Sequence, residues 1–129
     1  MVRAHTAPAS RVRQVGLAYV SAIGQGDFER ARRYLSDLTF RFCGPYEAIE
    51  GADRFVARYW GAGQITLKLK VRRVFEDGNE LCIIFDIETQ LSERATTPVA
   101  MWLRVEGDKI VEMETFHDAR GYAELFDPG

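Results

Sequence analysis

Cysteine is scarce in this chain: Cys43 and Cys82 are the only two in 129 residues, far apart and each inside an apolar run. That excludes a disulfide framework and any CxxC motif, and the expected state is a pair of buried free thiols in a reducing compartment. Histidine is equally sparse, with His5 and His117 alone, and no cluster of residues has metal-ligand spacing. Neither a metal nor another cofactor is therefore expected. No sign of charge dominates: 17 Lys and Arg stand against 19 Asp and Glu, a net charge of -2 with a pI near 5.7. A nucleic-acid backbone or an anionic membrane would call for a basic footprint, so neither is an expected partner. Long apolar runs are missing too. The opening M-V-R-A-H-T-A-P-A-S has no apolar core, and no stretch approaches the roughly 18 apolar residues of a membrane span. Neither signal peptide nor membrane span is expected, and the reading is cytoplasmic.

What is present is ordinary for a globular protein: 47% hydrophobic and 28% charged residues, enough for one domain with its own core. No repeat or linker divides it. Residues 1–9 read as a mobile tail holding His5, and 10–129 as a single domain. Ser10 is a candidate helix cap, with Val12, Val15, Tyr19, Ala22 and Ile23 following at helical spacing. Gly24-Gln25-Gly26 should end that helix, and Asp27 should cap a second one carrying Phe28, Ala31 and Leu35 inward. Arg30, Arg32, Arg33 and Arg41 form either an anion site or a solvated face. Thr39 to Cys43 reads as a short strand with Phe40 and Phe42 on one side, followed by a loop to Gly51. A third helix then sets Ala52, Phe55, Val56, Tyr59 and Trp60 on one stripe. The Tyr59-Trp60 pair either stacks on a ligand or fills the core.

From Gln64 the period changes from 3.6 to 2. Leu67, Leu69 and Val71 alternate with Lys68, Lys70 and Arg72, a half-buried strand with a basic outer face. After a turn at 76–79, Leu81 to Thr89 sets Ile83, Phe85 and Ile87 on one face and Cys82, Ile84, Asp86 and Glu88 on the other. A polar connection over 90–95 leads to a final hairpin around Glu106-Gly107-Asp108-Lys109. On that hairpin Val99, Met101 and Leu103 should share the inner face with Val111, Met113, Thr115 and His117. Ile84, Ala100, Trp102, Ile110 and Phe116 should lie on the outer face. An apolar patch of that kind suits a homodimer centred on Trp102. Asp118 opens a last helix through Tyr122 and Phe126, serving either as its cap or as a catalytic carboxylate. Helices gathered on one side of a curved antiparallel sheet make an α+β fold.

This order, with Y-V-S-A-I-G-Q-G-D-F early and F-H-D-A-R at the end of the sheet, resembles the NTF2-like superfamily and within it the SnoaL-like branch. The resemblance rests on an aromatic seven residues before Gly26-Asp27, a Gly51-x-x-x-Phe55 third helix, and the aromatic-His-Asp strand end. It implies a cone formed by a strongly curved, mainly antiparallel sheet and its helices, enclosing a pocket. Relatives of that kind include ketosteroid isomerase, polyketide cyclases, scytalone dehydratase and limonene epoxide hydrolase, beside proteins that only bind or scaffold. Tyr19 is similar in position to the tyrosine of ketosteroid isomerase that donates to the dienolate oxygen. The base of that enzyme would fall near Phe42 or Cys43 and its neutral carboxylic acid at Met101, and none of these carries a carboxyl. The inner face likewise offers no Asp-Arg-Asp set for epoxide hydrolysis. Neither of those two mechanisms is expected here.

The expected lining is Phe40, Phe42, Phe55, Tyr59, Trp60, Phe85, Ile87, Val99, Met101 and Met113, with Thr97 and Thr115 as polar exceptions. An apolar cleft with a few convergent polar groups is the usual make-up of a small-molecule site. The expected function is a cofactor-free isomerase or lyase on a small apolar molecule. His117 would move the proton and Tyr19 would hold the oxyanion, with Asp118 beside them. A ligand-binding or dimeric interaction module without chemistry is the alternative.

Overall fold

The computed structural model describes residues 10–59, 67–90 and 94–117. The expected N-terminal tail, Trp60, Asp118 and the last helix lie outside them. The first helix, α1 (Arg11–Gly24), begins where Ser10 accepts a hydrogen bond from the Arg13 N–H at 3.0 Å. It buries Val15, Gly16, Tyr19, Val20, Ala22 and Ile23. Gly26, at φ 72°, lets the chain turn sharply out of it. Asp27 then caps α2 (Phe28–Arg33), accepting from the Arg30 N–H at 3.1 Å. Two of the arginines beyond are matched by carboxylates: Arg32 binds Asp37 at 2.8 Å and Asp53 at 2.9 Å, and Arg41 binds Glu112 at 3.2 Å.

Among the described residues six strands make one sheet: β1 (Arg41–Cys43), β2 (Ala48–Glu50), β3 (Leu67–Asp77), β4 (Glu80–Gln90), β5 (Arg94–Glu106) and β6 (Lys109–Phe116). Helix α3 (Ala52–Tyr59) follows β2. The spatial order is β2-β1-β6-β5-β4-β3. Every neighbouring pair is antiparallel except β1 with β6, which run parallel. In the β3–β4 and β5–β6 turns Gly78 and Gly107 take φ 62°, the left-handed region that such hairpins require of their first loop residue. Two expected loops proved to be partly strand. Ala48–Glu50 pairs with β1, and β5 begins at Arg94.

Alternation along the strands places the core. Leu81, Ile83, Phe85, Val99, Met101, Leu103, Val105 and Met113 turn inward and join Tyr19, Phe40, Phe42 and Phe55 in one apolar cluster. Gly16 allows α1 to lie close against it. A Cβ there would stand 2.3 Å from Leu81 Cδ2 and 3.2 Å from Leu103 Cδ1.

Two bulges overturn strict parity. On β6 the register shifts between Arg104↔Glu112 and Val105↔Ile110, so Ile110 and Val111 together oppose Val105. Ile110 is consequently 0% exposed and belongs to the core rather than to the outer face. On β3 the extra residue is Arg72, which brings Val74 inward and turns Phe75 outward, 56% exposed. Val71, expected to be half-buried, is exposed. The thiols also differ from expectation. Both are free, but Cys43 is exposed because Phe42 takes the inward position on β1, and Cys82 is half-buried on the outer face of β4.

Candidate functional site

Exposure rises along the inner face of the sheet in one direction. On β4, Leu81, Ile83 and Phe85 are buried and Ile87 is half-buried. On β5, Leu103, Met101 and Val99 are buried and Thr97, the partner of Ile87, is half-buried. On β6, Met113 is buried and Thr115 half-buried, as is His117 just past the strand's end. Burial is therefore most complete beside Leu81, Leu103 and Ile110 and least complete at Ile87, Thr97, Thr115 and His117. Thr97, Thr115 and His117, the expected polar residues, all lie at this less buried end.

A group of four aromatic rings lines the α3 side. Phe55 packs on Phe40 with centroids 5.3 Å apart and on Phe42 at 4.7 Å, and Tyr59 meets Phe42 and Phe55 at 5.2 Å each. Phe40, Phe42 and Phe55 are almost fully buried, and Tyr59 is half-buried. A Cβ on Gly44 would stand 2.8 Å from Phe42 Cζ and 3.7 Å from Thr115 Oγ1. The ring group thus reaches the same end of the sheet as Thr115.

One functional candidate was missed by sequence reasoning. Glu47 lies in the stretch read as plain loop, and its carboxylate joins the ring group at Tyr59. Tyr59 donates its hydroxyl to Glu47 Oε2 at 2.8 Å, and Arg58 Nε donates to the same oxygen at 3.1 Å. The Arg58 guanidinium also lies 5.8 Å from the centre of the Tyr59 ring. Burial, then the Glu47 hydrogen bond and charge, push the Tyr59 phenol far above its usual range. It stays a proton donor at any physiological pH. The available signal was the alternation of Glu47 and Ile49 behind Pro45, which hinted at β2.

Tyr19 is 1% exposed and belongs to the core cluster, as the helical stripe implied. Phe85, Val99, Met101 and Met113 are also buried there. Among the described residues no group of three or more His, Cys, Asp or Glu side chains could hold a metal ion. No described helix is long and apolar enough to cross a membrane. A groove of about 350 Å³ runs between α1 and β3, with Leu17, Val20, Leu69 and Val71 among its walls. The outer face carries charge instead of a catalytic set. Asp86 faces Arg72 there at 3.5 Å, which leaves it outside the interior.

The comparison with known families is decisive for kinship. Residues 17–113 match the model of the SnoaL-like domain. The chain belongs to the SnoaL-like family. Its fold is the NTF2-like α+β cone, shared with an NTF2-like protein of unknown function from Cytophaga hutchinsonii at 24% identity and a TM-score of 0.73, over 91% of this chain and 97% of that one. An M. tuberculosis LEH-like epoxide hydrolase is similar at 18% identity and a TM-score of 0.76, covering 92% and 97%. AclR, a putative hydroxylase from Streptomyces galilaeus, is similar at 14% identity and 0.72, covering 92% and 82%. At these identities the likeness shows the fold alone, and the different activities named for these proteins show that the fold does not choose the reaction.

Proposed function

We propose that this SnoaL-like protein takes a small apolar molecule into the open end of its cone and acts on it without a cofactor, as an isomerase or lyase. The observation that supports this reading is the exposure gradient: an apolar interior that ends at half-buried His117, Thr115 and Thr97. His117 is the proposed acid–base group, because an unperturbed imidazole titrates near pH 6.5 and suits proton transfer near neutrality. Tyr19 is the proposed oxyanion donor, buried within the same core. The half-buried ring of Tyr59, backed by Phe42 and Phe55, supplies the apolar wall a cyclic substrate would stack on. Asp118 is proposed as a catalytic carboxylate and Trp60 as a ligand contact. A second copy of the chain on the outer sheet face is the proposed partner.

The near-complete burial of Phe40, Phe42 and Phe55 favours a second reading, in which the packed interior holds a ligand or only supports an interface. Turnover separates the two. Wild type and His117→Ala are to be assayed side by side on a panel of carbonyl-bearing and dehydratable cyclic substrates, with circular dichroism as the folding check. General acid–base catalysis is worth about 10²–10⁴-fold, so His117→Ala should lose that factor. Equal turnover in the two proteins would remove His117 from the reaction. No wild-type turnover across the panel would leave the binding module as the function.

A further inference from the structure

We infer that Glu47 selects the polar end of the ligand, admitting an uncharged hydrogen-bond donor and rejecting an anion. This rests on the proposed pocket and deepens it. Glu47 is a partly exposed carboxylate, with 32% of its side chain exposed, beside Arg58 at 36%. It sits at the edge of the ring group because Tyr59 joins both: the ring packs on Phe42, and the hydroxyl donates to Glu47 Oε2. A ligand lying against the half-buried ring of Tyr59 therefore ends beside this carboxylate.

The chemistry of that end is one-sided. An ionised carboxylate only accepts, so the group that meets it must carry an O–H or N–H. Arg58, at 3.1 Å, balances the Glu47 charge and leaves the pair neutral overall. An anionic ligand end would face the Glu47 oxygens without a matching positive surplus. An alcohol, phenol or amide end would add one more donor to them. Charge-assisted bonds of this kind are about twice as strong as neutral ones, which makes Glu47 a discriminating group as well as a holding one.

The test uses two probes of one shape, 2-naphthamide and 2-naphthoate, titrated calorimetrically into the full chain. The wild type should bind the amide about tenfold more tightly, the scale of one hydrogen bond to a charged group at a partly exposed site. Glu47→Gln removes the negative charge and keeps Arg58, so the preference should vanish or invert toward naphthoate. Arg58→Gln does the opposite, and the preference for the amide should widen. A merely structural role for Glu47 would weaken both probes alike and leave their ratio unchanged. An unchanged ratio in Glu47→Gln, or equal affinities in the wild type, would overturn the inference while leaving the pocket standing. Failure of the wild type to bind either probe would overturn the pocket reading and this inference together. Should Glu47→Gln lose its native circular dichroism, the direction of change in Arg58→Gln decides alone.

Discussion

Two glycines on α1 show how contact distance decides the effect of one methyl group. A Cβ on Gly16 would press to 2.3 Å from Leu81 Cδ2, and Leu81 is 1% exposed in a filled core. Overpacking of that kind costs about 1–3 kcal/mol, against a helix-propensity gain of about 1 kcal/mol for replacing glycine. Gly16→Ala is expected to destabilise the protein by about 1 kcal/mol. A Cβ on Gly24 would meet Leu69 no closer than 3.6 Å, an ordinary contact. Gly24→Ala should therefore be neutral or slightly stabilising. Urea denaturation of the two variants would measure the opposite signs on a single helix. Tyr19 adds a polar counterpart. Its side chain is 1% exposed, so Tyr19→Phe keeps the packing and removes a hydroxyl that burial obliges to be matched. A loss of about 1–3 kcal/mol is expected where the abandoned partner is dry, and the same denaturation series would show it.

The last hairpin joins β5 to β6, and its outer face is held by a charge ladder. Arg104 stands directly opposite Glu112 and binds it through Nε at 2.7 Å, while Arg41 from β1 reaches the same carboxylate at 3.2 Å. The Arg104 hydrogen bond, foremost, and then that of Arg41 hold the Glu112 carboxyl below its usual pKa. A carboxyl whose folded pKa is depressed stabilises the fold above its unfolded pKa, near 4.5 for this group. That stability is lost as pH falls through the lower folded value. Wild type should exceed Glu112→Gln in stability at pH 7 and converge with it well below pH 4.5. Thermal melts of both proteins across that interval would show whether the gap closes. The same hairpin marks how far the sequence could be read. Its turn, its strands and the inward Met101, Leu103 and Met113 follow from alternation alone. The burial of Ile110 does not, because one extra residue on β6 reverses the faces before it, and no local residue type announces a bulge. The helix caps at Ser10 and Asp27 were legible from side-chain chemistry. Strand β2 is three residues long and owes its existence to β1, so the pattern of Glu47 and Ile49 had too little length to declare it. The Glu47–Tyr59 contact was hidden for the same reason: it is made across the fold, between a short edge hairpin and the end of α3.

At the scale of the whole molecule, the outer sheet face is the surface left to explain. Register sets Phe75, Cys82 and Trp102 in one row across β3, β4 and β5, and Ile84, Ala100 and Phe116 in the next across β4, β5 and β6. Phe75 and Phe116 are more than half exposed at opposite margins of this patch. Along one side runs the charged row of Glu80, Arg104, Glu112 and Arg41, and Trp102 is fixed toward it by its indole N–H, which donates to Glu80 at 2.9 Å. An apolar centre with a polar margin is the anatomy of a protein interface, and monomers seldom leave such a contiguous patch in water. The occupant we expect is a second copy of this chain. A two-fold arrangement lets one apolar patch cover its equal, and the mixed signs of the charged row can then match across the axis. Sedimentation equilibrium should return about twice the chain mass of 14.7 kDa. Trp102→Asp places a charge at the centre of the patch and should shift the protein toward monomer, while Phe75→Ser at the margin should weaken association less, as rim positions do. The native protein sedimenting as a monomer at micromolar concentration would refute the dimer. An equal effect of the two substitutions would place the contact elsewhere on this face.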